Sequence, residues 1–175
     1  MAVTLTLIRQ FAKMGKSPAE ILCNVNDMLS EQNPNDMFVT TFIGIFDAET
    51  GSFTYANAGH NPPYLLGKTS GYVTGARKLP LGAFPNISYI ETEMQLQAGD
   101  TLFMYTDGVT EAFNIEDCEF GTERLKDVLH RSKGKVYVET VLEAVRTFAG
   151  EAEQHDDITM LSLSVSESKA VLQGD

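Results

Sequence analysis

The spacing of the apolar residues changes once, at Gln32-Asn33-Pro34, and that change restricts the folds open to the chain. Before it the spacing is helical. Over Ala2 to Met14, residues Val3, Leu5, Leu7, Ile8, Phe11 and Ala12 cover much of a helix surface, and Gly15 supplies a stop. Ser17-Pro18-Ala19-Glu20 then starts a second helix, with Ser17 as cap, Pro18 at the first helical position and Glu20 closing a capping box. Its buried stripe is Ile21, Leu22, Val25, Met28 and Leu29.

After that point the chain reads as strands joined by Gly, Asp and Asn turns. Phe38 to Phe46 is β-branched and aromatic, Asp47 to Gly51 is a turn, and Ser52 to Ala56 returns, which predicts a hairpin. Pro63 to Leu66 and Tyr72 to Thr74 are candidate short strands, and Leu79-Pro80-Leu81-Gly82 is a loop. Ser88 to Leu96 alternates, setting Tyr89, Glu91 and Glu93 against Ile90, Thr92 and Met94, as in a half-exposed strand. Thr101 to Tyr105 is a buried strand. Gly121 to Arg131 and Val136 to Ala149 are helices, and Asp157 to Val165 is a last strand. Residues 1–32 are thus two helices, 37–165 a mixture of strands and helices, and 166–175 a disordered tail.

Composition excludes several function classes. With 24 acidic and 13 basic residues the formal charge is -11, which repels nucleic acid. No run of about 18 apolar residues is present, so no membrane segment is expected, and Met1 to Ile8 lack the basic flank of a signal peptide. Cys23 and Cys118 are far apart, which argues against a disulfide framework or zinc site and for a reduced, cytoplasmic protein. Cys118 stands among Glu116, Asp117 and Glu119, which counts against a nucleophilic role.

Three stretches can carry chemistry. In Tyr105-Thr106-Asp107-Gly108-Val109-Thr110-Glu111-Ala112 a buried strand runs into Asp-Gly, which sets a carboxylate at a strand end beside a residue that permits close approach; a plain Asp-Gly turn reads the same way. His155-Asp156-Asp157-Ile158-Thr159 puts two adjacent carboxylates before the last strand. Their repulsion would be relieved by a hard cation such as Mg²⁺ or Mn²⁺, or simply by solvent. In Ala56-Asn57-Ala58-Gly59-His60-Asn61-Pro62-Pro63, His60 suits phosphate binding or proton transfer, or else holds its loop by hydrogen bonds to backbone, and the structural role is preferred.

Taken together, these stretches resemble the SpoIIE/RsbU branch of the PPM-type (type 2C-like) serine/threonine protein phosphatases. The matching pieces also include Met37-Phe38-Val39-Thr40-Thr41-Phe42, Leu79-Pro80-Leu81-Gly82, Gly99-Asp100-Thr101-Leu102 and Phe120-Gly121, and they run in family order up to about Val165. The resemblance implies an α+β fold, a four-layer α-β-β-α sandwich. It implies two Mg²⁺ or Mn²⁺ ions in the complete domain, which activate the water that attacks a phosphoserine or phosphothreonine. It assigns Asp107 and Asp156 as metal ligands, Asp157 as an outer or occasional ligand, Gly108 as the residue permitting close approach, and His60 and Asn61 as supporting residues. It further implies a phosphorylated protein substrate of the anti-anti-sigma-factor type and an upstream sensor domain acting through the first two helices.

The family also carries Gly-Asp-x-Tyr-Asp and Asp-Val-x-Gly-(His/Lys)-Gly motifs ahead of the helix matching Ala2 to Phe11, and this chain contains neither. The resemblance therefore implies an N-terminally incomplete domain lacking the bridging aspartate. It is expected to be impaired as a catalyst, and to self-associate, as a homodimer or more, through uncovered sheet edges. The alternative function is a non-catalytic, phosphatase-like docking module.

Overall fold

The computed structural model describes residues 2–31, 33, 37–132 and 136–166. The chain divides into two compact units, one formed by Met1–Pro62 with Val73–Leu96 and the other by Pro63–Tyr72 with Gln97–Asp175.

The first unit opens with α1 (Ala2–Lys13) and α2 (Pro18–Glu31). Gly15 at φ +72° ends the first helix. The capping box then forms as expected. Ser17 N–H donates to Glu20 Oε2 at 3.0 Å, and Glu20 N–H donates to Ser17 Oγ at 3.4 Å. Strands β1 (Thr41–Phe46) and β2 (Ser52–Ala58) form the expected hairpin, with pairs running unbroken from Thr41↔Ala58 to Phe46↔Phe53. Asp47 shapes its turn by accepting from the N–H groups of Glu49 and Thr50 at 2.8 and 3.2 Å. On its other side β2 pairs with β5 (Arg77–Lys78, parallel) and with β6 (Glu91–Gln95, antiparallel). Ile21, Leu22 and Val25 of α2 bury completely against Ala56 and Ala58 of β2.

The second unit is an antiparallel sheet in the order β4 (Gly71–Tyr72), β3 (Tyr64–Leu66), β7 (Thr101–Tyr105), β8 (Met160–Ser164). Helices α4 (Gly121–Arg131) and α5 (Tyr137–Ala149) cover it through Leu125, Leu129, Val141 and Val145, packed on Tyr64, Phe103 and Tyr105. A single turn of helix, α3 (Asp107–Thr110), follows β7. Each unit is thus one sheet with its own helices, consistent with the α+β class read from the sequence.

Several strand bounds differ from expectation. The strand expected at Phe38 begins at Thr41, because Val39 makes only one bridge, to Leu81. The strand expected over Ser88 to Leu96 shrinks to Glu91–Gln95, and its leading residues are out of phase. Tyr89 is 5% exposed and Ile90 is 50% exposed. The inversion has a polar cause, since Tyr89 Oη–H donates to Leu79 O at 3.1 Å and lies 3.4 Å from Asn26 Oδ1. The candidate strands Pro63 to Leu66 and Tyr72 to Thr74 become Tyr64–Leu66 and Gly71–Tyr72. The last strand starts at Met160 rather than Asp157, because residues 157–159 are held by a side chain. Strand β5 and helix α3 are too short to have been read. The expected tail, beyond Ser166, lies outside the described residues.

Asn26 fixes the loop over α2. It is fully buried, its Oδ1 accepts from Gly82 N–H at 3.0 Å, and its Nδ2 donates to Phe84 O at 3.1 Å. Asn26→Leu is expected to lower stability by about 2–3 kcal/mol, because two backbone groups lose their partners. Urea denaturation checks this, and a loss under about 0.5 kcal/mol would refute the anchoring role. Burial, ahead of Cys23 and Asp27, pushes the Tyr89 hydroxyl up to about 12 from a reference of 10.0. A raised folded pKa means that this contribution is whole below pH 10 and is lost as pH climbs from 10 toward about 12. Tyr89→Phe should accordingly move alkaline unfolding, followed by circular dichroism, to higher pH.

Candidate functional site

Strand β7 is the most buried strand of its sheet, with Leu102 and Phe103 wholly covered, and it runs into solvent at Thr106-Asp107. Its neighbour β8 pairs with it as far as Tyr105↔Met160. Beyond that pair the two chains stay joined by Thr106. Thr106 N–H donates to Thr159 O at 3.0 Å, and Thr159 N–H donates to Thr106 Oγ1 at 3.0 Å. Thr106 Oγ1–H in turn donates to Asp157 O at 3.0 Å. One hydroxyl, acting as both donor and acceptor, thus extends the register of the sheet into the Asp156-Asp157 segment.

Gly108 closes the same juncture from the other side. It is buried, and a Cβ built on it would fall 2.6 Å from Asp157 O and 3.0 Å from Asp157 C. No side chain fits there, so the Asp107-Gly108 turn lies directly on the Asp156-Asp157 backbone. Asp107, Asp156 and Asp157 are all exposed. Asp107 Oδ1 accepts from Gly108 N–H at 3.1 Å, and Asp156 Oδ1 accepts from Asp157 N–H at 2.7 Å. Gln154 Nε2–H donates to Asp156 O at 2.8 Å and braces the approach to the pair. Beside the site lies a cavity of about 340 Å³ whose walls include Gly108, Phe113, Arg146, His155 and Asp156.

Of the residues singled out by sequence, Asp107, Gly108, Asp156 and Asp157 meet at this one juncture. His60 and Asn61 belong to the other unit. There the buried Asn57 clasps the loop, with Oδ1 accepting from His60 N–H at 2.8 Å and Nδ2 donating to His60 O at 3.0 Å. The His60 ring also engages Thr40, Nδ1 to Oγ1 at 3.3 Å. The loop is therefore held by hydrogen bonds, with the Asn57 amide as the clasp on the His60 backbone and the His60 ring on the Thr40 side chain rather than on backbone. Thr106 and Asn57 lie within the motif stretches, and nothing in the local sequence assigns either a role.

The donors at the juncture are carboxylate oxygens, which suit a hard divalent cation such as Mg²⁺ or Mn²⁺. The tight seat of Gly108 brings their two loops together. The chemistry fits and the donor number is small. Among the described residues no group of three His, Cys, Asp or Glu side chains is arranged to hold an ion.

Residues 1–166 match the family described as Stage II sporulation protein E, SpoIIE. The chain belongs to that family. Among curated SpoIIE-type relatives it is 26% identical over 154 residues to the phosphoserine phosphatase RsbU of Bacillus subtilis, covering 85% of this chain and 45% of RsbU. It is 29% identical over 143 residues to the protein IcfG of Synechocystis, covering 79% of this chain and 22% of IcfG. The chain spans less than half the length of each of these relatives. Solved structures support the fold. The PP2C phosphatase domain of SpoIIE from Bacillus subtilis, with a fragment of its regulatory domain, superposes with a TM-score of 0.78 at 21% identity, over 93% of this chain and 49% of that one. The SiaA PP2C domain of Pseudomonas aeruginosa gives 0.75 at 23% identity, over 93% and 69%. The expected PPM-type fold is therefore established.

Thr106→Val should release the 157–159 segment while Thr106→Ser retains it. The expected loss for valine is roughly 1–3 kcal/mol, with faster amide exchange at Asp157 and Thr159. Unchanged exchange at both positions would show that the hydroxyl does not hold the juncture.

Proposed function

We propose that this chain is the catalytic-domain portion of a cytoplasmic, metal-dependent protein phosphatase acting on phosphoserine or phosphothreonine. The observation that carries the proposal is the juncture itself, where Thr106 and Gly108 bring Asp107 against Asp156-Asp157 at the open end of two paired strands. Asp107 and Asp156 would hold the divalent ion, Mg²⁺ or Mn²⁺, with Asp157 in an outer or occasional role. A bound ion there supplies charge stabilisation of the phosphoryl oxygens and an activated water. The chain's own residues do the rest. Gly108 excludes side-chain bulk between the two loops, Thr106 fixes their register, and the adjoining cavity offers room for substrate beside Asp156. His60 and Asn61 support the 56–63 loop. By likeness to RsbU, whose name is phosphoserine phosphatase, the substrate carries phosphoserine; the family resemblance adds a phosphorylated signalling protein of the anti-anti-sigma type as substrate and an upstream sensor domain as regulator.

One observation favours the second reading, a phosphatase-like docking module. The described residues present two aspartates with one neighbour, and no arranged set of three ligands. Two carboxylates bind a divalent ion weakly, so this chain by itself is expected to turn over phosphopeptide slowly or not at all.

Calorimetric titration of Mn²⁺ separates the readings. The wild type is expected to bind, and Asp107→Asn to lose binding by about tenfold or more, the loss of one charged oxygen ligand. Equal heats from both proteins would remove Asp107 from any metal site and leave the docking reading. Robust Mn²⁺-dependent turnover by the unaltered chain would end the docking reading and the expected impairment together.

A further inference from the structure

The cavity of about 340 Å³ beside the Asp107 juncture belongs wholly to the second unit. Of its walls, Phe113 and Ile158 are half-buried and apolar, while Glu111, Arg146, Glu153 and Asp156 are exposed. Arg146 is the one arginine or lysine among the described residues that line it.

Arg146 stands in the last turn of α5 on fixed backbone. Val145 beside it is 2% exposed and packed in the core, and Gly150 N–H donates to Arg146 O at 3.0 Å. The basic side chains of α4 are engaged in holding that helix. Arg124 Nη1–H donates to Glu119 O and Phe120 O, both at 2.9 Å, and its guanidinium lies 4.6 Å from the centre of the Phe148 ring. Lys126 and Arg131 pair with Glu123 and Asp127 at 2.6 and 3.9 Å. Arg146 differs. Glu143 stands one turn before it, and Glu111 and Glu153 share its cavity, yet among the described residues its guanidinium has no hydrogen-bond or ion-pair partner. A cation held in place without a structural partner is available to a ligand.

The charge of the site decides which ligand. A phosphoserine carries about −1.5 to −2 at pH 7. Asp107 and Asp156 are two carboxylates, and a divalent ion held between them would cancel only their own charge. The phosphoryl group then faces a chain of formal charge -11. A guanidinium answers that charge with a planar fork of donors that fits two phosphate oxygens at once. Apolar walls such as Phe113 and Ile158 strengthen the pairing by lowering the local dielectric.

We propose that Arg146 is a substrate-binding residue, taking the phosphoryl oxygens of phosphoserine at the cavity beside Asp156. The inference rests on the phosphatase reading and adds to it the chain's own counter-charge for the substrate.

The test is an NMR titration of the full chain with a Gly/Ala peptide carrying one phosphoserine, without metal and with Mg²⁺, against the same peptide carrying plain serine. The phosphopeptide should shift the Arg146 Nε–H signal and the amides of 149–155, and the serine peptide should shift neither. Arg146→Gln should weaken phosphopeptide binding by about tenfold, with Arg146→Lys in between, because a bidentate charged donor is lost and then partly restored. Both variants should keep the wild-type Mg²⁺ affinity. Arg131→Gln, an arginine of α4 outside this cavity, should bind as the wild type does. A silent Arg146 signal at every peptide concentration would overturn the proposal, as would equal affinity in Arg146→Gln or equal shifts with the serine peptide. The function is decided separately on the same samples. Mg²⁺ binding that is lost in Asp107→Asn, beside a silent Arg146, would retain the phosphatase reading and sink this one. Phosphopeptide held by Arg146 in a chain that binds no Mg²⁺ would do the reverse.

Discussion

The hydroxyl of Thr106 is the interaction on which the arrangement at the acidic end of the second sheet depends. A sheet ladder ends where its two strands diverge, and β7 and β8 have reason to diverge after Tyr105↔Met160. The chain beyond β7 turns into α3, and the chain before β8 arrives from a loop of exposed polar residues. Thr106 delays that divergence by taking over both halves of a ladder rung, accepting from Thr159 N–H and donating to Asp157 O. A valine has the same shape and neither bond. The acidic pair next to the clamp is thereby presented from backbone held as firmly as a strand, although it is not one. Gly108 then sets how closely the opposing turn can sit, because a single methyl would collide with the Asp157 carbonyl.

The same device recurs in the first unit. Asn57 holds both backbone groups of His60, and Asn26 holds Gly82 N–H and Phe84 O over the end of α2. In each case a short amide or hydroxyl supplies partners for backbone that has left regular structure, as buried or half-buried polar backbone requires. The loops that carry the family motifs are thus anchored by side chains, while the helices and strands only bring those side chains into range.

What the sequence disclosed follows from that division. Thr101–Tyr105 and Gly121–Arg131 were legible to the residue, because Gly99-Asp100 and Phe120-Gly121 mark their starts with local turn chemistry. The capping box at Ser17 and Glu20 was legible for the same reason. Tyr89 was placed on the wrong face, because the hydrogen bonds that bury it come from Leu79 and Asn26, which are distant in sequence. Strand β5 escaped notice because two residues have no period, and it exists by pairing with Asn57 and Ala58. Asp107, Asp156 and Asp157 were recognisable as candidate ligands from their types and motif order. Thr106 was not recognisable as their clamp, since its partners lie 51 and 53 residues away and nothing local foretells them.

Where strands face water, this sequence usually says so. In β6, Glu91, Glu93 and Gln95 are exposed while Thr92 and Met94 turn inward, whereas in β8 the exposed residues are Leu161 and Ser164. Strand β1 departs from this practice, with no polar residue from Phe42 to Phe46 although Gly44 and Ile45 are exposed. An acidic chain of charge -11 has carboxylates to spare for such an edge and places none there. Leaving the strand uncharged keeps its edge competent to pair. The strand's chemistry is therefore that of an interior strand.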